Sequence, residues 1–223
     1  MHDKLLAVAE LFYSLQGEST RAGLPCAFIR LAGCNLRCRY CDSAYTWEEP
    51  GLRTSIAEIL RWLEGYPGVL VELTGGEPLL QEETYPLLDE LLAQGRTVLV
   101  ETNGSLEVAR VPVQAGVILD LKCPDSGMAE QMDWGNIPLL AERRRSGGRD
   151  EIKFVLNSEA DYAWAREIIA RHQLADIAPL LLSPVTEMFS PARLAEFMLR
   201  DRIPARLQLQ LHRIIWPDQQ RGV

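Results

Sequence analysis

Two observations predict an α/β fold with a parallel sheet for this chain of 223 residues. Short runs rich in Val, Ile and Leu recur along the chain, and most of them are followed by a helical pattern. Alternating strands and helices imply parallel strands joined by right-handed crossovers. Because no Gly/Ser linker or repeat divides the chain, we expect a single domain over residues 1–223.

The predicted strands cover residues 27–32, 69–74, 97–102, 117–122, 151–156 and 180–183. Ser55 and Glu58 form a capping-box pattern that opens a helix ending near residue 63. A second helix over residues 83–94 is stopped by Gly95, which is the expected C-terminal residue type. Further helices are predicted over residues 158–172 and 191–199.

The composition is that of an ordinary globular protein, with 47% hydrophobic and 24% charged residues. The formal net charge of -8 disfavours a nucleic-acid partner, because the surface as a whole repels phosphate. The basic run at residues 143–145 is interpreted as a solvated helix face. No apolar stretch approaches the roughly 20 residues of a membrane span. The start of the chain lacks a signal-peptide pattern, so we expect a cytoplasmic protein with free thiols.

Three cysteines, Cys34, Cys38 and Cys41, follow the first predicted strand with C-x3-C-x2-C spacing. A 4Fe-4S cluster normally takes four cysteines, so three would leave one iron free to bind a small molecule. A zinc site is the alternative, with its fourth ligand from Cys26, Cys123 or a histidine. A disulfide framework fits less well, because five cysteines are an odd number. No separate role is predicted for Cys26 or Cys123.

This cysteine spacing resembles the radical S-adenosylmethionine (SAM) superfamily, in which SAM chelates the fourth iron of the cluster. The resemblance implies an enzyme with a 4Fe-4S cluster that cleaves SAM. It also sharpens the fold prediction to an open partial (β/α)6 barrel of the radical SAM type, with a last strand near residues 206–212. The cluster loop would cover residues 33–46, and a closing segment would cover about residues 184–223.

Polar motifs follow several predicted strands, where ligands collect in parallel α/β folds. The resemblance assigns Gly76 and Glu77 of the Thr-Gly-Gly-Glu-Pro turn to the SAM amino group. On the same basis, the further cofactor-binding residues are Tyr40, Cys41, Asp42, Asp120, Lys122 and Ser183. The Gly-Gly-Glu-Pro sequence alone would be an ordinary turn, and the Asp120 and Lys122 pair could equally be structural.

The segments 10–18, 23–25 and 28–43 resemble the 7-carboxy-7-deazaguanine synthase family. The likeness is dense over residues 8–46, recurs at 74–78 and 102–104, and becomes thin after Lys122. It implies ring contraction of 6-carboxy-5,6,7,8-tetrahydropterin to 7-carboxy-7-deazaguanine with release of ammonia, a step toward queuosine and related deazapurines. A 5'-deoxyadenosyl radical would take hydrogen from the substrate and return it, so that SAM acts catalytically.

The family roles transfer only where residues match. The pterin edge would be recognised by Leu15, Gln16 and Gly17, and Glu18 would accept hydrogen bonds from the ring N–H groups of that edge. The remaining substrate residues would be Arg30 on the carboxylate, Thr74 and His212, and the Ser43 hydroxyl would bind Mg2+. Structural alternatives stay open, because Arg30 could be a strand-end charge, Ser43 a loop residue and His212 a core histidine.

The family resemblance also implies a flavodoxin-like electron donor and a homodimer. Two other functions remain open. An activase of glycyl-radical enzymes shares the cysteine spacing but has no need of the Gln16-Gly17-Glu18 segment. The other is a zinc-binding or cluster-binding module without catalysis. Iron and sulfide in the anaerobically purified protein would exclude zinc.

Overall fold

The structure is a computed structural model that describes residues 4–223. Met1, His2 and Asp3, which contribute to the expectation of no export signal, lie outside the described residues. Across the described chain, no helix is both long and apolar enough to cross a membrane.

Within residues 4–223, nine strands form one sheet in the order β3-β1-β2-β4-β5-β6-β7-β8-β9, so its two edges do not meet. From β2 to β9 every neighbouring pair is parallel, while β1 runs antiparallel to both β2 and β3. This is the open α/β barrel that the sequence predicts. The strands are β1 (Leu5–Leu15), β2 (Pro25–Leu31), β3 (Leu52–Ser55), β4 (Leu70–Gly75), β5 (Val98–Thr102), β6 (Gly116–Asp120), β7 (Glu151–Leu156), β8 (Leu180–Pro184) and β9 (Arg206–Leu207).

Residues 4–223 contain seven α-helices, of which the first six lie between strands and the last follows β9: α1 (Tyr45–Glu48), α2 (Ile56–Leu63), α3 (Thr84–Ala93), α4 (Asn136–Arg145), α5 (Glu159–Arg171), α6 (Pro191–Asp201) and α7 (Leu211–Ile215). The capping box of α2 is present, because the Ser55 hydroxyl accepts from the Glu58 N–H while the Glu58 carboxylate accepts from the Ser55 N–H. Gly95 follows α3 with a φ of 71°, as the helix-stop prediction requires.

The two faces of the sheet differ. On the outer face, strand side chains such as Val71, Val100 and Phe154 pack against α2 to α6 in the main hydrophobic core. The inner face begins with a small apolar cluster of Phe12, Cys26, Phe28, Leu70, Leu99 and Ile118. One inward position further along the strands, toward their carboxyl ends, the side chains become charged. The alternation of a strand therefore places charge inside the barrel.

Three sequence predictions need correction. The antiparallel strands β1 and β3 were not predicted. The expected last strand over 206–212 is wrong beyond Leu207, because Leu211–Ile215 is helical. Arg143 is not on a solvated face, since it is 8% exposed and its Nε lies 2.9 Å from Oδ2 of Asp150. Arg144 and Arg145 are exposed as predicted.

Candidate active site

The three cysteines of the C-x3-C-x2-C motif lie in the irregular loop that follows β2. Cys34 and Cys38 are half-buried and Cys41 is exposed, and all three are free thiols. Burial raises the pKa of Cys38, the charges of Asp120, Cys41 and Cys34 raise it further, and Lys122 opposes them. Cys34 and Cys41 are therefore both close enough to Cys38 to influence its thiol.

Cys34 already receives hydrogen-bond donors suited to a cluster ligand. The Leu36 N–H lies 3.4 Å from its Sγ and the Asn103 amide nitrogen lies 3.7 Å away. Donors of this kind stabilise cluster sulfurs. Among residues 4–223, no three His, Cys, Asp or Glu side chains converge on a single metal ion. Three sulfurs that bind different irons of a cubane need no such convergence, so the loop fits a three-cysteine cluster.

The Thr-Gly-Gly-Glu-Pro segment at the end of β4 makes two backbone hydrogen bonds that hold the start of the cysteine loop. The Gly76 N–H donates to the Leu31 carbonyl at 3.0 Å, and the Glu77 N–H donates to the Gly33 carbonyl at 2.8 Å. A Cβ on Gly75 would collide with the Leu31 backbone, and one on Gly76 with the Gly33 carbonyl. The observed close approach is thus between two backbone segments, while the assignment of Gly76 to SAM stays a prediction.

Glu77 is fully buried and its carboxylate braces two strand ends. It accepts hydrogen bonds from the Thr102 hydroxyl and from the N–H groups of Asn103 at 2.7 Å and Leu79 at 2.9 Å. Burial raises its pKa to about 7, against the opposing effect of these donors. The observed role of Glu77 is thus to hold backbone and side-chain groups together, and its assignment to the SAM amino group stays a prediction.

Two unpartnered polar atoms lie at the carboxyl ends of β6 and β8. Asp120 pairs through Oδ2 with Lys122 Nζ at 2.7 Å, so the structural interpretation of this pair has support. However, Asp120 Oδ1 and Ser183 Oγ are buried without a hydrogen-bond partner in the described chain. Such atoms are costly unless a ligand or water satisfies them, so both fit a bound cofactor.

The second half of the cysteine loop crosses toward β7. The Tyr40 hydroxyl donates to the Val155 carbonyl at 3.0 Å. Desolvation works to raise the pKa of Asp42, but the charges of Arg30 and Lys153 outweigh it and leave that pKa lowered. The Ser43 carbonyl accepts from the Thr46 hydroxyl at 2.8 Å, which sets the loop geometry around the proposed Mg2+ ligand.

The segment after β1 carries the predicted pterin-binding residues. Leu15 is half-buried, and Gln16 is buried with its amide nitrogen donating to the Glu72 carboxylate. The Gln16 carbonyl oxygen accepts from the Glu18 N–H at 2.8 Å. Thr74 is also buried, at the carboxyl end of β4. The predicted substrate residues are therefore held by one another and by the barrel interior.

Arg30 occupies the inner face of β2 and pairs with Glu10. Its Nε lies 2.7 Å from Oε1 of Glu10, which also accepts from the Tyr45 hydroxyl at 2.6 Å. The guanidinium is 5.2 Å from the centre of the Phe12 ring. A guanidinium has five donors, so the pairing through Nε is compatible with a bidentate contact from its terminal nitrogens to a ligand carboxylate.

The C-terminal segment packs on this substrate side. The Leu211 N–H donates to the Gly17 carbonyl at 3.0 Å, and the Gln210 amide donates to Glu18 Oε1 at 2.8 Å. A Cβ on Gly17 would lie 2.5 Å from His212 Nδ1, so the glycine makes room for that ring. Burial lowers the pKa of His212, which favours the neutral imidazole. His212 therefore lies beside the predicted substrate residues rather than in the hydrophobic core.

Sequence reasoning missed Glu72 and Lys153 in the barrel interior. Both lie within runs that are predicted as buried strands, and neither is among the candidate site residues. The available signal was a charged residue two positions after an inward residue, as in Leu70 and Glu72, because strand side chains alternate between faces. We expect such buried charges to be paired, and Lys153 does contact both Glu18 and Glu101.

Comparison with known proteins shows the family to which the chain belongs. A family model described as the radical SAM superfamily matches residues 28–122. A 7-carboxy-7-deazaguanine synthase from Chlorobaculum tepidum is 47% identical over 98% of this chain and 97% of that protein. One from Koribacter versatilis is 40% identical over 98% of this chain and 100% of that protein. The crystal structure of QueE from Escherichia coli is 26% identical, with a TM-score of 0.75 over 93% of this chain and 95% of that chain.

The open barrel, the three-cysteine loop and the superfamily match together define a radical SAM enzyme. The chain belongs to the 7-carboxy-7-deazaguanine synthase family. Membership implies a 4Fe-4S cluster and SAM as cofactors.

Proposed function

We propose that this protein contracts the ring of 6-carboxy-5,6,7,8-tetrahydropterin to give 7-carboxy-7-deazaguanine and ammonia, in queuosine and related deazapurine biosynthesis. One observation carries the proposal: several side chains assigned to the pterin and to the cofactors come from the carboxyl ends of neighbouring strands. Arg30 on β2 is in register with Thr74 on β4, and Asp120 on β6 is in register with Lys153, which contacts Glu18. The His212 ring lies against Gly17.

In this proposal the chain contributes binding, orientation and exclusion of water. Cys34, Cys38 and Cys41 hold the cluster, while Tyr40, Asp42, Gly76, Glu77, Asp120, Lys122 and Ser183 surround SAM. When bound, the cluster and SAM supply the one-electron chemistry that the protein side chains cannot. Asp120 Oδ1 and Ser183 Oγ would gain the hydrogen bonds that they otherwise lack.

On the substrate side, Gln16 and Glu18 offer a carbonyl oxygen and a carboxylate to the N–H groups of the pterin edge. Leu15, Gly17, Thr74 and His212 complete the walls of this region. Arg30 pairs with the substrate carboxylate through its terminal nitrogens. Ser43 holds Mg2+, which would act on the same carboxylate as a template and Lewis acid. We further propose a cytoplasmic homodimer that takes electrons from a flavodoxin-like protein.

The test is anaerobic incubation of the reconstituted protein with dithionite, SAM, Mg2+ and 6-carboxytetrahydropterin, with product followed by mass spectrometry. We expect 7-carboxy-7-deazaguanine without stoichiometric loss of SAM. Arg30→Gln should raise KM for the substrate, whereas the matched Arg53→Gln on the exposed edge strand β3 should not. Ser43→Ala should weaken the dependence of rate on Mg2+.

SAM cleavage without pterin turnover by a correctly assembled cluster would reject the pterin substrate. Formation of a glycyl radical on a partner protein would then support the activase alternative. Sedimentation of the purified protein tests the homodimer, and replacing dithionite by reduced flavodoxin tests the electron donor.

A further inference from the structure

Lys153 is a buried cation at the centre of the charged inner layer. Its side chain is 5% exposed, and Nζ lies 2.9 Å from Oε2 of Glu18 and in direct contact with Glu101. Asp120 Oδ2 is 3.9 Å away. Three carboxylates from three separate parts of the chain therefore converge on one ammonium group.

The charges around Lys153 come from every element that faces it. The acidic groups are Glu18 after β1, Glu101 on β5, Asp120 on β6 and Asp42 in the cysteine loop, together with Glu72 on β4, whose pKa is raised well above its usual value by burial. Lys122 and Arg30 are the further cations that act on these groups. Burial works to lower the pKa of Lys153, but the charges of Glu101, Glu18 and Asp120 outweigh it, so the group stays protonated.

Glu18 is held from both sides. Lys153 contacts one carboxylate oxygen at 2.9 Å, and the Gln210 amide contacts the other at 2.8 Å. Its backbone N–H is also held, by the Gln16 side chain. Because a carboxylate has about four acceptor positions, each oxygen retains one for a ligand N–H in a direction set by these contacts.

We propose that Lys153 is a positioning residue, which holds the Glu18 carboxylate in the orientation that accepts the N–H groups of the substrate edge. This inference rests on the proposed function. Lys153 contacts Glu18 rather than the substrate, so its effect on binding passes through that carboxylate. A charge-assisted hydrogen bond between side chains is well suited to such a role, because it is short and strong enough to fix the position of its acceptor.

Lys153→Met should raise KM for the pterin at least about tenfold, the effect expected for losing one hydrogen bond to a charged group. The kcat should change less than about threefold, and equilibrium binding of the pterin should weaken in parallel with KM. Lys153→Arg should restore part of the affinity, because it keeps the charge. Lys4→Met, at an exposed lysine, is the matched control.

A double-mutant cycle separates positioning from a merely structural role. If Lys153 acts through Glu18, the combined variant Lys153→Met/Glu18→Gln should raise KM no more than Glu18→Gln alone. The combined variant also removes one charge of each sign, so it keeps the test available if Lys153→Met fails to fold. Additive effects, or a KM for Lys153→Met within about twofold of wild type, would overturn the inference. No pterin turnover by the wild type would instead reject the proposed function.

Discussion

The two faces of the sheet are built from the same strands but differ in what their buried side chains contact. On the outer face, alternate residues such as Ile152 and Phe154 are fully buried against helices. On the inner face of the same strand, Lys153 is also buried but lies among carboxylates. Burial alone therefore does not separate stability from function in this molecule. What separates them is whether a buried side chain packs against apolar groups or pairs with charges at the barrel opening.

The largest expected effect is a complete loss of activity from Cys38→Ala at the rim of the inner face. Without one of three sulfurs, the cluster should not assemble, and iron per chain should fall with the activity. The free energy of unfolding of the apo protein should change by less than about 1 kcal/mol, because the residue is partly exposed. Cys26→Ala, at a buried thiol with no assigned role, should instead lower the free energy of unfolding and leave the iron content and the activity unchanged. Normal iron content in the Cys38 variant would contradict the assignment.

The buried ion pair between Arg143 and Asp150 lies on the helix side of the sheet, away from the proposed active site. It tests a contribution to stability that should not affect activity. Arg143 makes two hydrogen bonds to Asp150, at 2.9 and 3.0 Å. Arg143→Met leaves the buried Asp150 carboxylate without its cation and should lower the free energy of unfolding by about 3–5 kcal/mol. Its exposed neighbour offers a matched control, since Arg144→Met should change stability by no more than about 0.5 kcal/mol. Denaturant unfolding measures both, and equal effects would show that the ion pair contributes nothing.

The raised pKa of Glu77 predicts that the free energy of unfolding depends on pH. Its pKa is raised from 4.5 to about 7 by burial, so the folded state favours the protonated carboxyl. The stabilisation is fully present below about pH 4.5 and is lost as the pH rises through about 7. The wild type should lose about 3 kcal/mol of unfolding free energy from this group across that interval.

Glu77→Gln should lack this part of the pH dependence, because a glutamine does not ionise. The measurement is the difference between the unfolding free energies of wild type and variant, taken from about pH 4 to 8 so that other titrating groups cancel. A difference that does not change with pH would show that Glu77 ionises normally despite its burial.

The smallest predicted effect concerns a helix on the outer layer. Ser55→Ala removes one half of the capping box of α2 and should lower the free energy of unfolding by about 1 kcal/mol. The activity per correctly loaded enzyme should stay at the wild-type value. A change in KM for the pterin would mean that the outer and inner layers are coupled more closely than the packing indicates.

Local patterns predicted much of the fold and the position of the cysteine loop. All six predicted barrel strands and four predicted helices are present, and the cysteine loop follows β2. The antiparallel strand β1 was not foreseen. Its first residues alternate in burial, but from Glu10 onward its side chains do not follow a simple two-residue period. The register irregularity between Val8 and Glu10 accompanies this change.

The sequence by itself determined the strand and helix positions, the three-cysteine loop and the family, because these depend on spacing over a few residues or on close matching along the chain. Only the tertiary structure decided the partners of the charged groups. Arg30 pairs with Glu10, and Glu77 accepts hydrogen bonds from Thr102 at the end of β5 and from Asn103 directly after it. Lys153 contacts Glu18, which is 135 positions away in the sequence. Such pairs depend on strand register and on the curvature of the sheet, which bring together side chains whose sequence neighbours carry no trace of the contact.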